Sequence, residues 1–325
     1  MSAPLTKPSW ESFLPKNVLV LAGPTASGKT EVARWIARKI PVTLISFDSM
    51  QVYRRMPVTT QAPANKPFGP KTRLVNFLDP RKEYSAAQFR ADAEPLVRTA
   101  LKKGKTPLLI GGTGLYLKAL LDGLFEESPE KPLTNGGLRQ KWLKAQAEHG
   151  KHFLHCRLKE LDPASAEKIH PNDTRRLARA LEICQVTGQP YSSVRQNRRG
   201  LRAEFETIIF FLDRRREDLY DRINRRVDGM IRQGLVTEVK RLSRNASLSR
   251  TAGMALGVRE ITAYLKGEMK LAAAVELLKK HTRNYAKRQI SWFRHEAGTV
   301  FIPMEPRESS RSAAEKILAQ WKRAP

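Results

Sequence analysis

Cysteine is nearly missing from this chain: Cys156 and Cys184 are the only two among 325 residues. Their spacing fits neither a disulfide framework nor a zinc site, so a reducing compartment is expected, with both side chains in the core. No stretch approaches the ~20 consecutive apolar residues of a bilayer-spanning helix, and the N-terminus lacks the basic-then-apolar order of a secretory leader. A soluble cytoplasmic protein without a membrane partner is therefore expected. Acidic side chains are also scarce, 32 Asp and Glu against 59 Lys and Arg, which leaves a formal charge of +27. A solvated basic surface is one explanation for such an excess. A polyanionic partner, nucleic acid foremost, is the better one, because solubility needs far less.

No internal repeat or long low-complexity tract is present, and the chain is long enough for a sizeable α/β core. Residues 23–30 read Gly23-Pro24-Thr25-Ala26-Ser27-Gly28-Lys29-Thr30, directly after the apolar run Val18–Ala22 and before a helical stretch from Glu31 to Lys39. Strand, glycine loop and helix in this order form a phosphate grip. Glycines let successive backbone N–H groups turn inward, the helix adds its positive end, Lys29 supplies a mobile cation, and Thr30 offers a hydroxyl to Mg²⁺.

Further strands are expected at 42–47, 107–112, 207–212 and 298–303, with a helix from Ser85 to about Lys103; the strand–helix alternation reads as a parallel sheet. Between 126 and 204 the strand signal disappears, and a loop-like 126–137 leads into short helices. The expected architecture is a P-loop NTPase-like parallel-sheet core formed by 1–125 and 205–308, a helical insertion at 126–204, and a polar, weakly helical tail at 309–325. A monomer is expected.

Asp48 ends a strand some twenty residues past the loop, in Ser46-Phe47-Asp48-Ser49-Met50-Gln51-Val52-Tyr53. It is either a cap or a hydrogen-bond acceptor that orients a nucleophile beside the bound phosphates. Thr113, in Gly111-Gly112-Thr113-Gly114-Leu115-Tyr116, offers a hydroxyl at another strand end, unless the segment is a plain turn. In the insertion, a helix after His170-Pro171-Asn172-Asp173 repeats Leu177, Ala180, Leu181 and Cys184 on one face and carries Arg175, Arg176 and Arg179 on another. A long amphipathic helix is expected from Leu271 to Glu296, with Lys280, Arg283, Lys287 and Arg294 on its polar side. Residues 214–295 hold 20 Lys and Arg against 8 Asp and Glu, an electropositive surface suited to a phosphate backbone.

Together these motifs resemble the tRNA dimethylallyltransferases, also called tRNA isopentenyltransferases. The likeness covers nearly the whole chain up to about residue 303. It rests on the phosphate loop, Asp48-Ser49 with Tyr53, Tyr84-Ser85-Ala86-Ala87, Gly111 to Tyr116, His170 to Asp173, Gly257 with Arg259-Glu260, and Arg283 followed by Lys287-Arg288-Gln289-Ile290-Ser291-Trp292. The resemblance implies transfer of a dimethylallyl group from its diphosphate to N6 of the adenosine 3′ of the anticodon, position 37 of tRNA. It implies Asp48, Thr113 and Arg226 as catalytic residues, though neighbouring Arg225 competes with Arg226 for that place. It implies diphosphate on Gly23 to Thr30 with Mg²⁺ at Thr30. The tRNA anticodon arm is expected at Asp48, Ser49, Met50, Gln51, Thr113, Arg139, Arg175, Arg176, Leu177, Ala178, Arg179, Met254, Gly257, Arg259, Arg283, Lys287, Arg288 and Gln289, with the target base flipped out of its loop. Two departures stand out: Arg73 replaces an expected histidine, and the 126–138 connection is longer than usual, which loosens the placing of Arg139.

A small-molecule P-loop kinase using ATP explains the loop and Asp48 but not the basic C-terminal half or the insertion. A non-catalytic, nucleotide-gated RNA-binding protein leaves Asp48 and Thr113 without a task.

Overall fold

The structure, a computed structural model, describes residues 17–62, 71–124, 136–196, 199–245 and 248–323. The loop expected at 126–137 lies outside the described residues except for its last two. Two compact units are present, one built from Met1–Leu121 with Glu204–Pro325 and one from Asp122–Ala203.

The first unit contains five strands: β1 (Asn17–Ala22), β2 (Val42–Phe47), β3 (Thr106–Gly111), β4 (Glu206–Arg214) and β5 (Thr299–Met304). They form one sheet in the order β2-β3-β1-β4-β5, and every pairing is parallel. All six residues of β1 and of β3 are buried, as expected of parallel strands covered on both faces. Helices α1 (Lys29–Lys39), α2 (Pro57–Thr60), α3 (Ala86–Lys102) and α4 (Gly114–Leu121) follow the first strands. Ser85 starts α3 by a reciprocal capping box with Gln88, which satisfies two amides that the first turn leaves open.

Register places the functional ends of the strands side by side. Ala22 pairs with Gly111 and Gly111 with Phe47, so Gly23, Gly112 and Asp48 leave the sheet at one edge. This is the carboxyl edge, where ligands of open α/β sheets bind. Strand β4 runs three residues past Phe211, the partner of Ala22, and so carries Arg214 over the phosphate loop.

The second unit is helical: α5 (Gly136–His149), α6 (Phe153–Leu161), α7 (Pro163–Lys168), α8 (Thr174–Thr187) and α9 (Tyr191–Gln196). Its core joins Leu154, Leu158, Leu177, Leu181 and Cys184 to Trp142 and Phe153. Cys156 is exposed rather than in the core.

Back in the first unit, α10 (Arg216–Arg232), α11 (Leu235–Asn245), α12 (Arg250–Gly253), α13 (Val258–Leu265) and α14 (Leu271–Arg294) complete the wall around the site. Phe293 of α14 packs on Phe211 of β4, ring centroids 5.2 Å apart. The segment after 308 is more than a polar tail: α15 (Ser310–Trp321) buries Ala313, Ala314, Ile317 and Leu318 in the same apolar cluster as Val32 and Ile36 of α1. Each large apolar side chain buried there contributes about 1.5–3 kcal/mol. Among the described residues no helix is long and apolar enough to cross a membrane.

Candidate active site

The phosphate loop is already wound around its own lysine. Lys29 Nζ donates to the carbonyls of Gly23 (2.7 Å) and Pro24 (2.8 Å), and Gly28, with φ 99°, turns the chain into α1. Burial lowers the Lys29 pKa from 10.5 to about 7, Asp48 pulls it back up, and Arg226 pushes it down again. Arg222 Nε donates to the Ala26 carbonyl (3.0 Å) and Arg214 Nε to the Ser27 carbonyl (2.9 Å). Arg214 is held in turn by Asp218 (2.9 Å).

Asp48 leaves β2 and turns back on its own loop: its Oδ1 accepts from Met50 N (2.9 Å) and, more weakly, from Gln51 N (3.4 Å). No hydrogen bond engages Oδ2 among the described residues. The cap and the acceptor readings of Asp48 are therefore compatible, one oxygen for each. Thr113 Oγ1 accepts from Ser49 N (3.1 Å), which ties the two strand-end loops together. Burial, and then the Asp48 charge, raise the Tyr285 hydroxyl above its ordinary range, and a hydrogen bond to Thr113 opposes them.

Two glycines of the Thr113 segment are there for close approach. A Cβ on Gly112 would sit 2.1 Å from the Gln289 amide, and one on Gly114 would sit 2.1 Å from the Trp292 indole. Gln289 is buried and spends both ends of its amide: Oε1 accepts from Thr25 N (2.8 Å) and Nε2 donates to the Gly112 carbonyl (3.0 Å). It joins the phosphate loop to the Thr113 loop. Trp292 packs closely on the Gly114 backbone.

Arg225 and Arg226 both line the site cavity, but they differ in setting. Arg226 lies close enough to Lys29 and Asp48 for their charges to act on it, and burial lowers its pKa while Asp48 raises it. Arg225 forms an exposed ion pair with Asp221 (3.0 Å). A cavity of about 710 Å³ lies against these groups, lined by Thr25 to Glu31, Asp48 to Gln51, Arg222, Arg226, Met254, Tyr285 and Arg288 among others. Thr30 faces it. Arg259, Lys287 and Arg288 are exposed, Arg283 is half-buried, and Gly257 is buried with its N–H on Glu260 (2.9 Å).

The insertion residues lie in the second unit and divide into three groups. Arg175 and Arg176 are exposed, the latter in a loose pair with Asp173 (3.8 Å). Arg139 and Arg179 instead pair with Glu182, at 2.7 and 3.0 Å, and that carboxylate is 0% exposed. Leu177 and Ala178 are also 0% exposed; their side chains fill the unit's core, so an RNA contact there falls to the arginines beside them.

Sequence reasoning missed Arg214 and Arg222. A signal existed for both: Arg214 ends a strand, and Arg222 precedes Arg226 by one helical turn.

Residues 51–296 match the family described as IPP transferase. The chain is 38% identical over 307 residues to the tRNA dimethylallyltransferase of Carboxydothermus hydrogenoformans, covering 94% of this chain and 97% of that one. Against the tRNA dimethylallyltransferase of Acetivibrio thermocellus it is 40% identical over 309 residues, covering 94% and 96%. The fold matches a crystal structure of the Bacillus halodurans tRNA isopentenylpyrophosphate transferase with a TM-score of 0.68 at 33% identity, over 95% of this chain and 97% of that one. It also matches a eukaryotic dimethylallyltransferase acting on tRNA, with a TM-score of 0.79 at 27% identity, over 95% and 80%. With its phosphate loop, Asp48 and Thr113 gathered at one edge of a P-loop NTPase-like sheet, and with likeness of this extent, the chain belongs to the IPP transferase family.

Proposed function

We propose that this protein transfers the dimethylallyl group of dimethylallyl diphosphate to N6 of the adenosine 3′ of the anticodon, position 37, in tRNA. One observation carries the reading: a single cavity presents a phosphate grip and Asp48, one carboxylate oxygen of which has no hydrogen bond among the described residues, with the Thr113 hydroxyl held next to it through Ser49. The relatives, named tRNA dimethylallyltransferases, support the same chemistry, and the kinase alternative finds no support among them.

The allylic C1–O bond breaks, diphosphate leaves, and the bond from N6 to C1 forms. Negative charge grows on the leaving diphosphate, and the loop amides, Lys29, Arg222 and Arg226 are placed to meet it as it develops. The adenine amine is a poor nucleophile, its lone pair shared with the ring, and it must lose a proton; Asp48 Oδ2 takes that proton while Thr113 orients the amine.

Thr30 fits Mg²⁺: it lines the cavity next to the loop and carries a hydroxyl, oxygen is the ligand this ion takes, and Mg²⁺ commonly completes its shell with phosphate oxygens and water. Among the described residues no group of three His, Cys, Asp or Glu offers an all-protein cage. When bound, Mg²⁺ would neutralise part of the diphosphate charge. The exposed Arg175, Arg176, Lys287 and Arg288 hold the tRNA backbone, while Met254 and Arg259 contact the anticodon loop.

A radiolabel-transfer assay on an unmodified anticodon-arm RNA tests this. Product is expected from dimethylallyl diphosphate with Mg²⁺ and no ATP; strict dependence on ATP, or no product, would refute the reading.

A further inference from the structure

The cavity changes character along its length. Helices α10 and α14 run antiparallel beside it, fixed in register by Arg283 on Asn224 (2.7 Å) and Lys279 on Asp228 (2.9 Å). On α10, Arg222, Arg226 and Met230 follow at i, i+4 and i+8 and share one stripe; all three line the cavity. On α14 the matching series from Gln289 through Tyr285 and Thr282 ends at Leu278. The loop end is therefore cationic, and the far end, where Met230 and Leu278 lie in one apolar cluster, is mainly hydrocarbon, with Thr59, Thr60 and Gln61 also on the cavity wall. The ligand this suits has an anionic head and an unbranching path for an apolar tail.

Length is the informative quantity. From Arg222 to Met230 is eight residues, about 12 Å of helix, and a helical methionine leans back toward the preceding turn, into that length. Each further isoprene unit extends an allylic chain by about 5 Å, four carbon–carbon bonds in line. Truncating Met230 to alanine removes Cγ, Sδ and Cε, about 4 Å of reach. One side chain thus spans nearly the difference between a five-carbon and a ten-carbon donor.

We propose that Met230, seated against Leu278, closes the apolar end of the cavity and limits the donor to a single isoprene unit. This rests on the donor reading above. Methionine suits the place because its unbranched thioether fills an irregular apolar end closely, and it is nearly buried, at 6% exposure.

The test measures kcat/KM for dimethylallyl and geranyl diphosphates on one anticodon-arm RNA. Wild type is expected to favour dimethylallyl diphosphate by at least about 100-fold, a discrimination within reach of a filled apolar pocket. In M230A the geranyl-to-dimethylallyl ratio should rise at least tenfold, and in M230L, of similar volume, it should stay within about threefold. Because Met230 also belongs to the core, thermal melts accompany each variant, and M230V and L278A provide milder and independent openings that should shift the ratio the same way. A folded M230A or M230V with an unchanged ratio overturns the gate, and so does a wild type that uses both donors equally. A wild type that transfers neither group from its diphosphate overturns the donor reading as well, which separates the two failures.

Discussion

Arginine serves two different ends in the two units of this molecule. Around the phosphate loop, Arg214 and Arg222 grip loop carbonyls, and Arg226 stands free of hydrogen bonds among the described residues, near Lys29 and Asp48. In the helical unit, Arg139 and Arg179 serve a buried carboxylate, Glu182, whereas Arg175 and Arg176 are exposed. The same side chain is loop brace, structural counter-ion or exposed cation according to what burial leaves unsatisfied nearby. A basic sequence run therefore overstates its own RNA-binding surface.

The comparison can be broken most sharply at its catalytic side. Asp48→Asn keeps the oxygen that caps the loop but not the base, so kcat should fall by about 10²–10⁴ with RNA affinity unchanged, read from single-turnover rates and filter binding. Equal losses in both would reduce Asp48 to a cap. Arg226→Gln should lower kcat by about 10², whereas Arg225→Ala should stay within about threefold; similar losses would erase the distinction drawn between them.

Lys29 gives a pH test. Burial holds it at about pKa 7 in the folded chain against 10.5 otherwise, so below pH 7 its charge costs stability, and that cost is lifted as pH rises from 7 to 10.5, where only the unfolded chain still carries the proton. Diphosphate requires the ammonium. Its affinity should therefore weaken toward tenfold per unit above pH 7 while binding takes up as much as one proton, visible by calorimetry in buffers of different ionisation enthalpy. Uptake that persists in Lys29→Met would assign the proton elsewhere. The smallest effects separate the arginines of the helical unit. Arg176→Ala should reduce the slope of log affinity against log salt by about 1 and leave the melting temperature in place. Arg139→Ala should leave the slope and cost about 1–3 kcal/mol of stability; the reverse pattern would invert their roles.

Much of the core was legible because its signals are local. Val18 to Thr30 carries strand, glycine loop and helix in one stretch, and the run 42–47 announces both β2 and the position of Asp48 at its end. The basic face of α14 was legible for the same reason. What stayed hidden depends on partners far away in sequence. Nothing near Gln289 indicates that it spans from Thr25 to Gly112, and nothing near Arg139 points to Glu182, 43 residues away. Arg214 reaches Ser27 across 187 residues. Helix α15 is a different case: Ala313, Ala314, Ile317 and Leu318 have helical spacing, but among polar neighbours their fit to α1 emerges only in three dimensions.

The Gln289 amide has one more implication. Because one rigid planar group is bonded at one end to the loop that would hold the electrophile's leaving group and at the other to the loop that would orient the nucleophile, it acts as a fixed-gauge spacer. The gap that the new carbon–nitrogen bond must close is set while the chain folds, before either substrate arrives.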